Sequence, residues 1–268
     1  MRSASVFIVS SAMTLLALSI SNTAAAQTPG GPSWRQRARP NQTLPDSKFT
    51  FETRFGGYYP KVDEEFGADG PFAQYFGKGP QFYFGLGLDW TPLRIPYVGR
   101  IGPAVGWGFT TMNGDARKVS DPSAAVDGVD TSLTIHAMNV SASLRIDEIA
   151  RRTVVPIVPY AKFGLGMGLW SSGTSAGTSK IGTDCNATTP TDCTKGEGLS
   201  IGPQFSLGAM LGMNWLDPRS GAMVRENSGV NQVYIFGEWM WSGLDYSINK
   251  DAMRVGTSSW VLGLALDL

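Results

Sequence analysis

The stretch Trp260-Val-Leu-Gly-Leu-Ala-Leu-Asp-Leu268, which ends the chain, decides its fold. Its residues alternate with a period of two, the period at which side chains of a β-strand point to opposite faces. One face carries Trp260, Leu262, Leu264, Leu266 and Leu268. The other carries Val261, Gly263, Ala265 and Asp267. A chain that stops on its most hydrophobic strand favours a closed transmembrane barrel, because the last strand then pairs with the first and leaves no edge in lipid.

The large side chains of this strand also resemble the C-terminal signal that the barrel-assembly machinery of outer membranes reads. That signal usually ends in Phe, whereas this chain ends in Leu268. We therefore predict that Trp260, Leu262, Leu264, Leu266 and Leu268 form an assembly signal, and that the assembly machinery is a partner during biogenesis.

Composition fits one all-β domain. Among 268 residues there are 33 glycines, 11% are aromatic and only 16% are charged. The formal net charge is zero, so neither a nucleic acid nor another polyanion is expected as a partner.

The N-terminus predicts export. Arg2 precedes an apolar segment at 6–20, and Ala24-Ala-Ala26 provides small residues for cleavage after Ala26. A transmembrane anchor is the alternative, but the apolar segment is too short for one. We predict a signal peptide at 1–26, a flexible periplasmic linker at 27–47, which is rich in Pro, Gly and polar residues, and a barrel at 48–268.

Eight segments show the two-residue period of strands: 48–55, 81–90, 101–110, 133–145, 161–169, 199–215, 232–242 and 260–268. The fourth is the weakest, because its apolar residues change phase between Ala137 and Met138. This change suggests a bulge or a late entry into the bilayer.

The face opposite the large apolar residues carries charges among many glycines. The charged residues are Glu52, Arg54, Asp89, Lys162, Glu238 and Asp267. A soluble lipocalin-like barrel would instead turn its apolar face inward around a ligand. Charges and glycines suit a narrow lumen, where small residues let the wall curve and long side chains fill the centre. The sequence predicts a closed, antiparallel, up-and-down transmembrane β-barrel of eight strands.

An even strand number puts both termini in the periplasm. The extracellular loops are then 59–80, 113–130, 171–197 and 246–257, and the periplasmic turns are 91–100, 146–156 and 216–230. The last turn favours a short helix, with Pro218 at its first position and Gly229 past its end. Arg100 and Arg145 are expected on the periplasmic side.

Several motifs resemble the outer-membrane β-barrel family of myxobacteria and their relatives. They are Phe55-Gly-Gly-Tyr-Tyr-Pro-Lys-Val-Asp63, Leu88-Asp89-Trp90, Pro159-Tyr160-Ala-Lys162-Phe-Gly164 and Gly229-Val-Asn-Gln-Val-Tyr234-Ile-Phe236-Gly-Glu238-Trp239. The resemblance covers residues 48 to 268 and implies a small outer-membrane barrel. It implies no substrate, so no functional residue carries over.

Cys185 and Cys193 lie close together in the longest extracellular loop. In an exported protein such a pair predicts a disulfide, which stabilises so short a loop by roughly 2–3 kcal/mol in the chain-entropy model. A metal pair is the alternative, but no histidine lies nearby in the sequence.

The lumen charges admit two interpretations. Buried charges must pair, because an unpaired one costs several kcal/mol. The first interpretation is a structural plug of salt bridges. The second is a gate whose pairs exchange and admit water or small ions.

Catalysis is not predicted. The only histidine is His136, and its neighbours Thr134 and Met138 offer no nucleophile in a pattern typical of acyl hydrolysis. Loop acids at 63–69 leave Ca²⁺ binding open but lack the spacing of a dedicated site. We expect no catalytic residue, cofactor or metal.

The sequence thus predicts a monomeric barrel in the outer membrane of a Gram-negative bacterium, surrounded by membrane lipid and lipopolysaccharide. Its predicted role is structural, or interaction through the extracellular loops. The alternative is a narrow gated pore for small solutes or ions.

Overall fold

Eight long antiparallel strands close into a barrel in the computed structural model, which describes residues 47–65, 70–118, 121–153, 155–174, 177–181, 193–216, 218–246 and 253–268. The strands are β1 Phe49–Tyr58, β2 Gln81–Trp90, β3 Gly99–Lys118, β4 Asp121–Arg145, β5 Ile157–Thr174, β6 Glu197–Gly212, β7 Gln232–Ser242 and β8 Thr257–Asp267. Each strand pairs with the next along the chain. The predicted strand number and up-and-down order are confirmed.

The barrel closes where the last strand meets the first. The pairing of β1 with β8 runs in register from Thr50 opposite Asp267 to Gly56 opposite Val261. The Leu268 amide extends it by donating to the Phe49 carbonyl oxygen over 2.9 Å. The final strand therefore has a partner on both sides, as its hydrophobic sequence predicted.

The two faces of the wall differ in chemistry as predicted. On β8, Trp260 is 72% exposed and Leu262 67%, whereas Val261 and Ala265 are buried in the lumen. All five residues of the predicted assembly signal lie on the outward face. Large apolar side chains around a polar lumen are the arrangement of a transmembrane barrel.

Of the two alternatives predicted for the fourth strand, a bulge or a late entry into the bilayer, the bulge is wrong. Pairing of β4 with β5 continues without a register shift from Thr131 to Arg145. Leu133 and Ile135 instead point into the lumen, where they are 3% and 0% exposed. The apolar residues change phase because the half of the lumen around Leu133 and Ile135 is itself apolar, so the strand stays regular.

The loop predicted at 113–130 is mostly strand. β3 continues to Lys118 and β4 begins at Asp121, with irregular pairing between Asp115 and Lys118. The last described pair of β3 with β2 is at Thr110, and the last described pair of β4 with β5 is at Thr131. Beyond these residues, the described parts of β3 and β4 pair only with each other.

Short elements lie at both ends of the barrel. One end of the barrel has the longer connections and is called the loop end, and the opposite end is called the turn end. The loop end has a 3₁₀ turn at Lys61–Glu65, the helix α1 at Pro71–Phe76, and strands at Gly177–Thr178, Lys180–Ile181 and Thr194–Lys195. At the turn end are a strand at Leu93–Ile95, the helix α2 at Glu148–Arg152, a 3₁₀ turn at Met213–Trp215 and the helix α3 at Pro218–Ser228. Among the described residues, no helix has the length and apolarity to cross a membrane.

The predicted turn helix is confirmed as α3. Gly229 follows it with φ 72°, a left-handed conformation that glycine adopts readily, and its amide donates to the Arg225 carbonyl oxygen over 3.1 Å. The predicted signal peptide, the linker up to residue 46 and Cys185 lie outside the described residues. The disulfide between Cys185 and Cys193 stays a prediction.

Candidate functional site: the filled lumen

Lys162 lies at the centre of the buried charge cluster. Its Nζ is 2.8 Å from both carboxylate oxygens of Glu52 and 2.8 Å from Oδ1 of Asp89. The Ser143 hydroxyl donates to the other oxygen of Asp89 over 2.9 Å. One ammonium group on β5 thus binds carboxylates of the neighbouring strands β1 and β2 across the lumen, and Lys162 is only 5% exposed.

Arg54 links this cluster to Glu238 on β7. Its guanidinium donates to Glu52 over 2.5 Å and lies 3.5 Å from Oε1 of Glu238. The Tyr160 hydroxyl donates to Oε2 of the same Glu238 over 2.8 Å. The sequence therefore placed Glu52, Arg54, Asp89, Lys162 and Glu238 correctly in the lumen, and the structure brings them together as one network.

Glycines on neighbouring strands provide the space for these side chains. A Cβ on Gly87 would lie 3.2 Å from the Glu52 carboxylate and 3.3 Å from the Arg54 guanidinium. A Cβ on Gly208 would lie 2.7 Å from the Tyr160 hydroxyl. The long polar side chains therefore lie over glycine backbone, as the composition of the inner face predicted.

Asp267 belongs to a second buried network, at the turn end. Arg145 donates to its Oδ1 over 2.9 Å, and the Thr50 hydroxyl donates to the same oxygen over 2.6 Å. Arg100 lies 3.5 Å from its Oδ2 and 3.0 Å from Oδ2 of Asp147. Asp267 was predicted on the same lumen face as Glu52, Arg54 and Glu238, but its ion pairs are with these two arginines.

Arg100, Arg145 and Asp147 are the lumen charges that the sequence interpretation missed. Arg145 and Asp147 are fully buried and Arg100 is 4% exposed. Arg100 and Arg145 were expected on the periplasmic side, with no direction into the lumen predicted for them. A signal was present, because Arg145 continues the inward alternation of Ser141 and Ser143 on β4.

Apolar side chains fill the loop end of the lumen. The buried residues here include Tyr58, Phe72, Tyr83, Met112, Leu133, Ile135, Met240, Leu244 and Val255. Phe72 comes from α1 and packs edge-on against Tyr59, with ring centroids 5.3 Å apart. The helix is anchored by Asp63, whose carboxylate accepts the amides of Phe72 and Ala73 over 2.7 and 2.8 Å.

The segment after β7 closes the same end. The Gly243 amide donates to the Pro203 carbonyl oxygen over 2.9 Å, and Tyr246 exchanges backbone hydrogen bonds of 2.6 and 3.0 Å with Ile201. Leu244 is 1% exposed as a result. On the other side of the mouth, the Tyr58 hydroxyl donates to the Val255 carbonyl oxygen.

A small cavity remains between the charge cluster and the β4–β6 wall. It measures about 10 Å³ and is lined by Arg54, Asn139, Ser141, Lys162, Gln204 and Ser206. That volume holds roughly one water molecule. Among the residues that the structure describes, ion pairs therefore fill the middle of the lumen and apolar side chains fill its loop end.

His136 lies outside this network, on the outer wall. Its ring stacks beside Trp107 and Phe109, with centroids 6.0 and 6.1 Å away. Among the described residues, no carboxylate or hydroxyl forms a hydrogen bond with it, and no cluster of His, Cys, Asp and Glu is arranged to hold a metal ion.

No protein-family model and no curated protein matches the chain. Solved structures do match, each over 83% of this chain. The chain is similar to the outer membrane protein OprG from Pseudomonas aeruginosa, with 8% identity, 96% of that chain covered and a TM-score of 0.46. It is similar to Neisserial surface protein A, with 11% identity, 98% coverage and a TM-score of 0.41. It is also similar to the N-terminal β-barrel domain of Pseudomonas aeruginosa OprF, with 12% identity, 98% coverage and a TM-score of 0.36.

Proposed function

We propose that the protein is an integral outer-membrane barrel with a sealed lumen, whose role is structural or one of surface interaction. The observation that carries this proposal is that the wall has exposed apolar side chains outside and paired charges inside, the reverse of a soluble barrel. A soluble barrel would expose that apolar surface to water, whereas a bilayer solvates it. The quoted motifs further support a place in the myxobacterial type of small outer-membrane barrels.

The two ends of the barrel support an orientation. Both described ends of the chain, at β1 and β8, lie at the end where the connections are shorter, and such barrels keep short turns in the periplasm. The long β3–β4 hairpin and α1 then face the outside of the cell. These elements are the surfaces offered to a partner.

The filled lumen disfavours the gated pore. Conduction would require Lys162 or Arg54 to leave two carboxylates each, and the apolar residues around Phe72 to part as well. The outward position of His136 among aromatic rings disfavours catalysis. Lipid around the wall, delivery by the barrel-assembly machinery, a signal peptide cleaved after Ala26 and a monomeric state belong to the same proposal.

Gel mobility of the outer-membrane fraction tests the location. A closed barrel satisfies its backbone hydrogen bonds internally and resists detergent until it is heated. We expect the unboiled protein in that fraction to migrate faster than the boiled protein. A single mobility, with the protein recovered in the soluble periplasm, would contradict the proposal.

A further inference from the structure

A groove of about 430 Å³ opens on the outer wall, at the loop end of β4, β5 and β6. Its lower part is apolar: Leu169 lies directly opposite both His136 and Leu199 in the sheet. Directly opposite residues share a face, so these three side chains form one row on the outer surface. The stacked rings of Trp107 and Phe109 continue that row.

The next row towards the loops is polar. Ser171 lies opposite Thr134 on β4 and opposite Glu197 on β6, and the Thr134 hydroxyl is 3.2 Å from that of Thr111. The outer surface thus changes from apolar to polar between Leu169 and Ser171, and this change marks the boundary of the lipid-facing belt. The groove crosses that boundary, where the headgroup of a lipid joins its acyl chains.

Two lysines lie on a ribbon next to the groove, and one of them, Lys195, is two residues before the lining residue Glu197. Lys180 and Lys195 are directly opposite each other on a two-stranded ribbon, and both are exposed. Like charges in such a position are about 5 Å apart at Cβ and destabilise the pairing. Lys195 is 3.7 Å from Glu197, which offsets one charge, and no described carboxylate pairs with Lys180. The three groups together keep a net positive charge that an anion would neutralise.

We propose that this groove binds a phosphorylated glycolipid of the outer leaflet. An acyl chain lies along Leu169 and Leu199, the polar junction of the lipid contacts Ser171, and a headgroup phosphate lies between Lys180 and Lys195. Apolar burial and attraction between lysine and anionic lipid both contribute to such binding. The site rests on the proposed function, because it requires that this end of the barrel face outward.

Substitution of Glu197 should change lipid A binding in the opposite direction to substitution of the lysines. Lys180→Gln and Lys195→Gln should each weaken binding of bis-phosphorylated lipid A by roughly fivefold, the effect of one lysine near an anionic surface. Glu197→Gln should strengthen it, because the carboxylate repels the phosphate. A purely structural role for these exposed residues would not produce changes of opposite direction.

The measurement is native mass spectrometry of the full chain in mixed micelles of phosphatidylcholine and lipid A, which gives the fraction of protein that retains lipid A. Lys48→Gln is the matched control, since Lys48 is exposed at the opposite end of the barrel and should leave retention unchanged. The protein should retain lipid A without its phosphates no better than it retains phosphatidylcholine. Raising the salt to ~1 M, where the Debye length is about 3 Å, should weaken retention of the phosphorylated form.

Equal retention by the unchanged protein and the two lysine variants would overturn the proposal. Release of fatty acid from lipid A would overturn it as well, because the groove would then be a site of chemistry. Heat-dependent gel mobility, measured on the same samples, distinguishes failure of the glycolipid site from failure of the proposed barrel function. If the shift persists while lipid selectivity is absent, only the glycolipid site fails; if the shift itself is absent, the proposed barrel function fails.

Discussion

At the scale of single residues, the stability of the barrel depends on matched buried charges. The two networks hold five carboxylates, from Glu52, Asp89, Glu238, Asp147 and Asp267. They also hold four buried cations, from Arg54, Lys162, Arg100 and Arg145, and the half-buried Arg151 lies 3.3 Å from Asp147. Removal of one member leaves a partner buried and unpaired, a much larger cost than the net contribution of the intact pair.

Lys162→Met tests this dependence. It leaves both Glu52 and Asp89 without their shared ammonium group, so we expect the free energy of unfolding to fall by about 3–5 kcal/mol. Urea titration of the protein in lipid vesicles, followed by tryptophan fluorescence, measures the change. Lys48→Met removes an exposed lysine and should change stability by less than ~0.5 kcal/mol. Similar small effects of both substitutions would show that the lumen is hydrated.

The inward direction of these side chains could be predicted from alternation, but their partners could not. Alternation placed Glu52, Arg54 and Asp267 on one face, and that assignment was correct. Which carboxylate meets which cation depends on strand register and on height along the barrel. Asp267 lies opposite Thr50, at the level of Arg145, and that pairing emerges only when the register is known.

At the scale of elements, β8 carries the lipid-facing surface in its simplest form. Leu264 points outward midway between Trp260 and Leu268 and is 48% exposed. Leu264→Arg should lower stability in a bilayer by about 2–4 kcal/mol, the cost of a cation near the midplane. Folding yield and urea titration in phospholipid vesicles measure it. Ser258→Arg, outward near the loop end of the same strand, should cost at most ~1 kcal/mol. Equal costs at the two positions would contradict the depth assigned to Leu264.

The segment after β7 gives a second prediction at this scale. A Cβ on Gly202 would overlap the Gly243 carbonyl oxygen, so Gly202→Ala should displace residues 243–246 from the mouth of the barrel. Hydrogen exchange at the amides of Gly243 and Tyr246 should become faster. Gly79→Ala is the control, because a Cβ there meets nothing within 4 Å and exchange should be unchanged. Unaltered exchange in Gly202→Ala would mean that the segment does not seal the lumen.

The fourth strand shows where prediction from sequence stops. A period of two identifies β4, but the period alone does not say whether a face contacts lipid, polar lumen or apolar lumen. Leu133 and Ile135 point inward because α1 and the segment after β7 make that half of the lumen apolar. These contacts come from loops whose sequences have no period, so the phase change was interpreted as a bulge or a late entry into the bilayer.

At the scale of the whole molecule, the class of fold followed from sequence because closure imposes a simple rule on every strand. Eight alternating segments, a hydrophobic last strand and a charged, glycine-rich inner face favour a closed wall in lipid over a soluble barrel. Whether the lumen is filled could not be predicted, since filling depends on side chains from all eight strands and from the loops between them.

Electrical conductance across a planar lipid bilayer tests the central claim, a sealed lumen, most directly. The protein is inserted from detergent, and its insertion is verified by heat-dependent gel mobility. We predict no steady current above that of the bare bilayer, because the charge network and the apolar residues around Phe72 both block the lumen. Stable unit current steps from the unchanged protein would contradict a sealed lumen and establish a pore.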